Sequence, residues 1–366
     1  MNAARLREIV DKLVDANKRL RIQKLLAAVL SSVTNLASSP SDSNYQQQYV
    51  ASLDALRTAL TTLRGEFQPA EIARIEELDG GADYLADIVG EIAGWMAENP
   101  ATPSVVQAKI QELIDRRTAF VTAIEGAATS LQSLGIEIYE LEPGQSEIGF
   151  LLPRNLFNNE FDGLIKELGA VRRIIRAFSE AATGSVEPIE VKQISTTDPL
   201  FTFALNAATI MMIGKAITWA LDSWKKVEEI RNLRAQTARL NVPAAAKIEA
   251  TFEEAIKETI RSEISSKLDD LVGALKGDDG RKNEQRNDLE WALESILARV
   301  ERGMIVEIRM LPAPTVESDD PELQVEPPET RAMREVAASL VFPPVQGEPI
   351  LAIPGVRAKK GSMDQE

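Results

Sequence analysis

Residues 198–226 read DPLFTFALNAATIMMIGKAITWALDSWKK, and the 23 residues between Asp198 and Asp222 carry a single charge, Lys215. Asp198 and Pro199 together form a strong helix start, an N-cap carboxylate followed by a proline at the first helical position. Nothing in the sequence stops that helix before LNVP at 240–243. The pattern therefore predicts one helix over 199–240, whose 42 residues at about 1.5 Å each would span roughly 60 Å. Past Asp222 the pattern turns amphipathic, with Trp224, Val227, Ile230 and Leu233 on one side and Lys225, Lys226, Arg231 and Arg234 elsewhere.

Such an apolar stretch must be covered by something. A lipid-spanning helix needs roughly 20 predominantly apolar residues. Residues 200–214 supply 15, interrupted by Asn206, and extension takes in Lys215. A lysine at the bilayer centre costs about 2.5–3.5 kcal/mol on insertion scales. Left in water, the stretch would form a patch larger than monomers usually show. The first reading is therefore burial by protein, in this chain's own core or between copies, and membrane contact is the second. The residues expected to carry an interface are Phe203, Met211, Trp219 and Trp224.

Outward from this stretch the chain divides by texture. Residues 1–134 read as a four-helix bundle, with amphipathic runs broken at SSPSDSN (38–44), GEFQP (65–69) and ENPATP (98–103). The second run carries Tyr49, Leu53, Leu56, Leu60 and Leu63, and the third has Gly80-Gly81 as a kink. The fourth opens on Thr102 and Pro103. Residues 135–311 read as an α+β domain with a small mixed or antiparallel sheet of about four strands. IEIYEL and EIGFLLP flank a Pro143-Gly144 turn as a hairpin, EPIEVKQIS (187–195) is a third strand and MIVEIRML (304–311) a fourth. A helix at 160–182 lies between, its core face formed by Phe161, Leu164, Leu168, Val171, Ile174 and Phe178. The helices of 199–302 form a long arm. Residues 312–366 hold nine of the 18 prolines together with acidic runs, and read as a disordered tail. Within it, 328–342 is a helical segment and 349–356 a strand-like one. The class expected is predominantly helical α+β.

Composition limits the chemistry. The chain has no cysteine and no histidine, which removes thiolate chemistry, the usual general base and the usual zinc ligands. A net charge of −15 opposes nucleic acid as a partner. The start of the chain lacks the apolar core of a secretory signal, so the cytoplasm is the expected location. Carboxylates are the remaining candidates for metal or catalytic work. Asp278 and Asp279 sit between glycines, but lack the spaced oxygen ligands of a calcium loop. Glu253, Glu254 and Glu258 are interleaved with Lys257 and Arg261 as a solvated face. Arg154, Asn155, Asn158 and Asn159 read as a turn before a helix rather than a ligand site. No catalytic, metal or cofactor residue is assigned. The expected function is a non-enzymatic cytosolic scaffold or adaptor, with a protein partner or a second copy bound through the long helices. The alternative is a membrane-associated effector using residues 199–221.

Overall fold

A computed structural model describes residues 3–99, 102–138, 141, 145–195, 199–238, 245–272, 279–310, 327–343, 345 and 349–354. The chain forms two units, residues 1–140 and 141–366. In the first, the helices are α1 (Ala3–Leu20), α2 (Ile22–Ser38), α3 (Ser43–Gly65), α4 (Pro69–Glu76), α5 (Gly81–Leu85), α6 (Ile88–Glu98) and α7 (Pro103–Ser133). Two of the four expected helices are subdivided. Arg21 takes a left-handed conformation (φ 51°) between α1 and α2, and Gly80 (φ 82°) ends the turn after α4. Asp42 caps α3 through the Asn44 amide, and Gln68 with Glu71 forms a capping box on α4. Thr102 stands at the N-cap of α7 without a side-chain capping bond, so Pro103 supplies the start signal. The stripes close on one core that includes Ile9, Leu13, Leu26, Leu56 and Ile110.

The second unit holds β1 (Ser146–Leu151), α8 (Phe161–Thr183), β2 (Glu190–Ser195), β3 (Leu200–Ala204), α9 (Ala207–Ala238), α10 (Ala245–Val272), α11 (Asp279–Val300), β4 (Ile305–Met310) and α12 (Pro328–Ser339). The strands form one antiparallel sheet in the order β2-β3-β1-β4, and the chain as a whole is a predominantly helical α+β protein.

Two expectations change together here. Ile136–Ile138 form no strand, and the residues to the turn lie largely outside the described ones, so β1 has no hairpin partner there among the described residues. Its partner on that side is LFTFA, expected as the first turn of a helix. Phe201 and Phe203 alternate with the β-branched Thr202, a period of two, and all three are buried. The helix starts only after Asn206, whose side chain accepts from the Thr209 amide at 2.8 Å and whose carbonyl accepts from Ile210. Asn206 is thus the cap that Asp198 was expected to be, and Asp198 lies outside the described residues. The apolar run is a central strand followed by a helix, and α9 at 32 residues is about 48 Å long.

What covers α9 is its own unit. Ile210, Ile213, Ile217, Ala220, Leu221, Trp224 and Val227 are buried among α8, α10, α11, α12, β1 and β4. Gly214 does not interrupt the helix. A β-carbon there would stand 2.5 Å from Val336 Cγ1 of α12 and 2.9 Å from Ile308 Cδ1 of β4. Thr218 and Ser339 hydroxyls meet beside it at 2.8 Å. Part of the expected tail is therefore folded: Met333, Ala337 and Leu340 belong to the core, because α12 lays its apolar face on the seam that Gly214 opens. The strand-like piece at 349 docks too. The amides of Ile350 and Leu351 donate to the buried Glu301 carboxylate, and Arg302 donates to the Leu351 carbonyl. Residues 311–326 and 355–366 lie outside the described ones.

A buried ion pair ties α8 to α11. Arg299 Nε and Nη2 meet the two Glu167 oxygens at 2.7 and 3.3 Å, and Arg299 also donates to the Ser295 carbonyl. Glu167→Ala leaves that guanidinium buried and unpaired, and should cost about 3–5 kcal/mol in urea unfolding. Glu167→Leu combined with Arg299→Met should recover most of the loss. Gly214→Val should destabilise by about 1–3 kcal/mol and free α12, read as faster tryptic cleavage after Arg331 and Arg334.

Candidate functional site

The sheet presents one continuous apolar face, set by its register. Phe203 lies opposite Val191 and Ile148, and Ile148 opposite Ile308. Phe201 lies opposite Ile194 and Phe150, and Phe150 opposite Val306. A bulge between Val191 and Gln193 brings Val191 and Ile194 to the same face despite their odd spacing. The helices cover this face unevenly. Ile148, Phe150, Val306 and Ile308 are fully buried, and Phe201 and Phe203 nearly so, their ring neighbour Phe150 standing 6.2 Å from Phe203. At the edge strand β2 the cover ends: Val191 is 52% exposed and Ile194 56%.

The uncovered end of the face forms one wall of a cleft of about 650 Å³. Leu168 and Ile175 of α8 form the opposite wall, and Val186, Pro188 and Ile189 close one end. Gly184, left-handed at φ 80°, ends α8 and turns the chain back so that this segment reaches β2. The α8 wall continues beyond the cleft. Phe161 and Ile165 precede Leu168 at helical spacing and are 75% and 51% exposed. Phe161 was expected in the core; it is instead the exposed first residue of the helix.

Three arginines of α8 stand near the cleft, Arg172 and Arg176 on its lining and Arg173 on an adjoining recess. Arg173 is engaged, 2.8 Å from Asp288 and stacked 4.0 Å over the Trp291 ring. Arg172 and Arg176 border both the cleft and a smaller polar recess of about 360 Å³. Both are exposed, and neither makes an ion pair, side-chain hydrogen bond or ring contact with the described residues. The nearby carboxylates are committed elsewhere. Glu187 accepts from Asn206 at 2.8 Å, and Glu180 takes Gln285 at 3.1 Å and also Arg281. The cleft therefore joins an apolar floor to two unengaged guanidiniums one helical turn apart.

Of the residues expected to carry an interface, only Phe203 lines this cleft, and it does so as a buried floor residue. Trp224 is buried in the core, and Met211 and Trp219 are half-buried against it. The four share one core but no exposed seam. Arg154, Asn158 and Asn159 form a turn: both asparagines are left-handed, and Arg154 donates to the Asn159 side chain at 2.8 Å. Glu254 and Glu258 are exposed, the Glu253 side chain and Asp278 lie outside the described residues, and nothing is described of the Asp279 side chain. Among the described residues no three acidic side chains gather as a metal site, and no helix is long and apolar enough to cross a membrane.

The first unit has one unusual group. Arg117 is buried, donates to the Tyr84 carbonyl and stacks 4.3 Å over its ring, and burial pushes its pKa down to about 10. It fixes the α5–α7 contact. Comparison of the chain with protein-family models, with curated proteins and with solved structures finds no match.

Proposed function

We propose that the protein is a non-enzymatic adaptor whose second unit holds an extended segment of a protein partner in the cleft between α8 and β2. The observation that carries this reading is the abrupt change in cover across one sheet face, from buried Phe203 and Phe201 to half-exposed Val191 and Ile194 beside them. Apolar side chains presented in a concave cleft beside an edge strand suit a peptide, which can fill the groove with alternate side chains. The bulge in β2 disfavours edge-to-edge pairing with a second copy, because it breaks the regular ladder. The absence of histidine and cysteine supports a role without catalysis. The cytoplasm is the location assumed, on the sequence alone.

Relative to the sequence-based expectation, the partner surface moves from the long helix to the sheet edge. Selection of a random-peptide display library on the full chain should enrich apolar, extended sequences. Their affinity should fall about tenfold or more with Ile194→Lys, a change at an exposed position that leaves the fold intact. Peptides indifferent to Ile194→Lys would contradict this site. A dimer dissolved by Ile194→Lys would make a second copy the occupant.

A further inference from the structure

We infer that the segment bound in this cleft is acidic, with carboxylates on alternate residues that pair with Arg172 and Arg176; the inference rests on the cleft being a peptide site. The arginines closest to these two do pair with carboxylates. Arg173 has Asp288, and Arg281 has Glu180. The chain has a net charge of −15, yet Arg172 and Arg176 engage no carboxylate among the described residues and border an open apolar groove. Glu187, on the cleft lining, is turned to Asn206 rather than to either of them.

The spacing specifies the ligand further. Arg172 and Arg176 are one turn apart, so their β-carbons are about 6 Å from each other. An extended peptide repeats on one side every two residues, about 6.6 Å. A segment lying along α8 therefore presents residues i and i+2 to the two guanidiniums, and turns residue i+1 the other way, toward the apolar floor formed by Val191, Ile194 and Phe203. The recognised pattern is acidic–apolar–acidic. Guanidinium–carboxylate pairs at the rim of a groove add specificity to the apolar contact. The overall negative charge does not cancel this preference, because at physiological ionic strength charges beyond about 8 Å are screened.

Three fluorescein-labelled ten-residue peptides test the inference. All carry valine and isoleucine at alternate positions, with glutamate, glutamine or lysine at the intervening ones. On the full chain in physiological salt, fluorescence polarisation should show the glutamate peptide binding about tenfold or more tighter than the glutamine peptide, and the lysine peptide weakest. Arg172→Gln/Arg176→Gln should erase that ranking while leaving the glutamine peptide unaffected. These positions are exposed and glutamine keeps their helix propensity, so the variant folds. Ile194→Ser, which removes the apolar contact without adding charge, should weaken the glutamate and glutamine peptides alike. Equal binding of all three peptides, still dependent on Ile194, would overturn the acidic preference and leave the cleft standing. Binding independent of Ile194, or no binding of any peptide, would overturn the cleft itself. Arginine-dependent capture of phosphatidylglycerol vesicles in place of the peptides would make the occupant a lipid headgroup, and would overturn the peptide.

Discussion

The second unit depends on burying the first half of α9. Residues 207–227 pack on one side against the sheet and on the others against α8, α10, α11 and α12. Most of this half of α9 is apolar, with Ala208, Lys215 and Asp222 left exposed along one stripe, so the elements around it are placed to cover the rest. Gly214 permits a close approach, where α12 and β4 come together on the helix. The buried Arg299–Glu167 pair then fixes α11 against α8 with a direction that apolar packing alone does not supply.

Covering α9 also determines where cover runs out. Helix α9 contacts β1 and β4, α12 adds to β4, and α8 runs along the other side. The sheet is four strands wide, and its apolar face extends to β2, past the strands against which α9 packs. The cleft is this remainder, an apolar edge left over by the geometry that satisfies the core. Arg172 and Arg176, without an ion-pair partner among the described residues, give it a chemical character that a simple packing gap would lack.

Much of this architecture is written in the sequence. The α+β class, the amphipathic helices, β2, β4 and the capped turns all follow from apolar period and turn residues. The stretch at 198–226 was misleading for a physical reason. A central strand buried on both faces and a helix buried over most of its surface both read as nearly continuous apolar runs, and periodicity alone does not separate them. The separating signals were Phe201-Thr202-Phe203 and the capping Asn206, outweighed by the Asp-Pro pair. Docking of α12 was hidden because Met333, Ala337 and Leu340 show a helical face but not which seam receives it. The site was less legible still. Arg172, Arg173 and Arg176 are visible as a basic cluster on α8, but which of them is paired depends on Asp288, more than a hundred residues away. Exposure of Val191 and Ile194 follows from strand order and a bulge, and neither is encoded locally.

Among the described residues, the second unit covers most of its apolar helix α9 and leaves the apolar sheet face open at β2. Because the sequence contains no cysteine, single thiols report this directly. Ala216→Cys, on the fully buried face of α9, and Ile194→Cys, in the cleft, should be compared in the folded protein by their rates of reaction with a soluble thiol reagent. Ile194→Cys should react at the rate of a free thiol, while Ala216→Cys should react only through rare opening, slower by orders of magnitude. Rapid modification of Ala216→Cys under native conditions would contradict it, because that face of α9 would then be open to a partner rather than closed by its own fold.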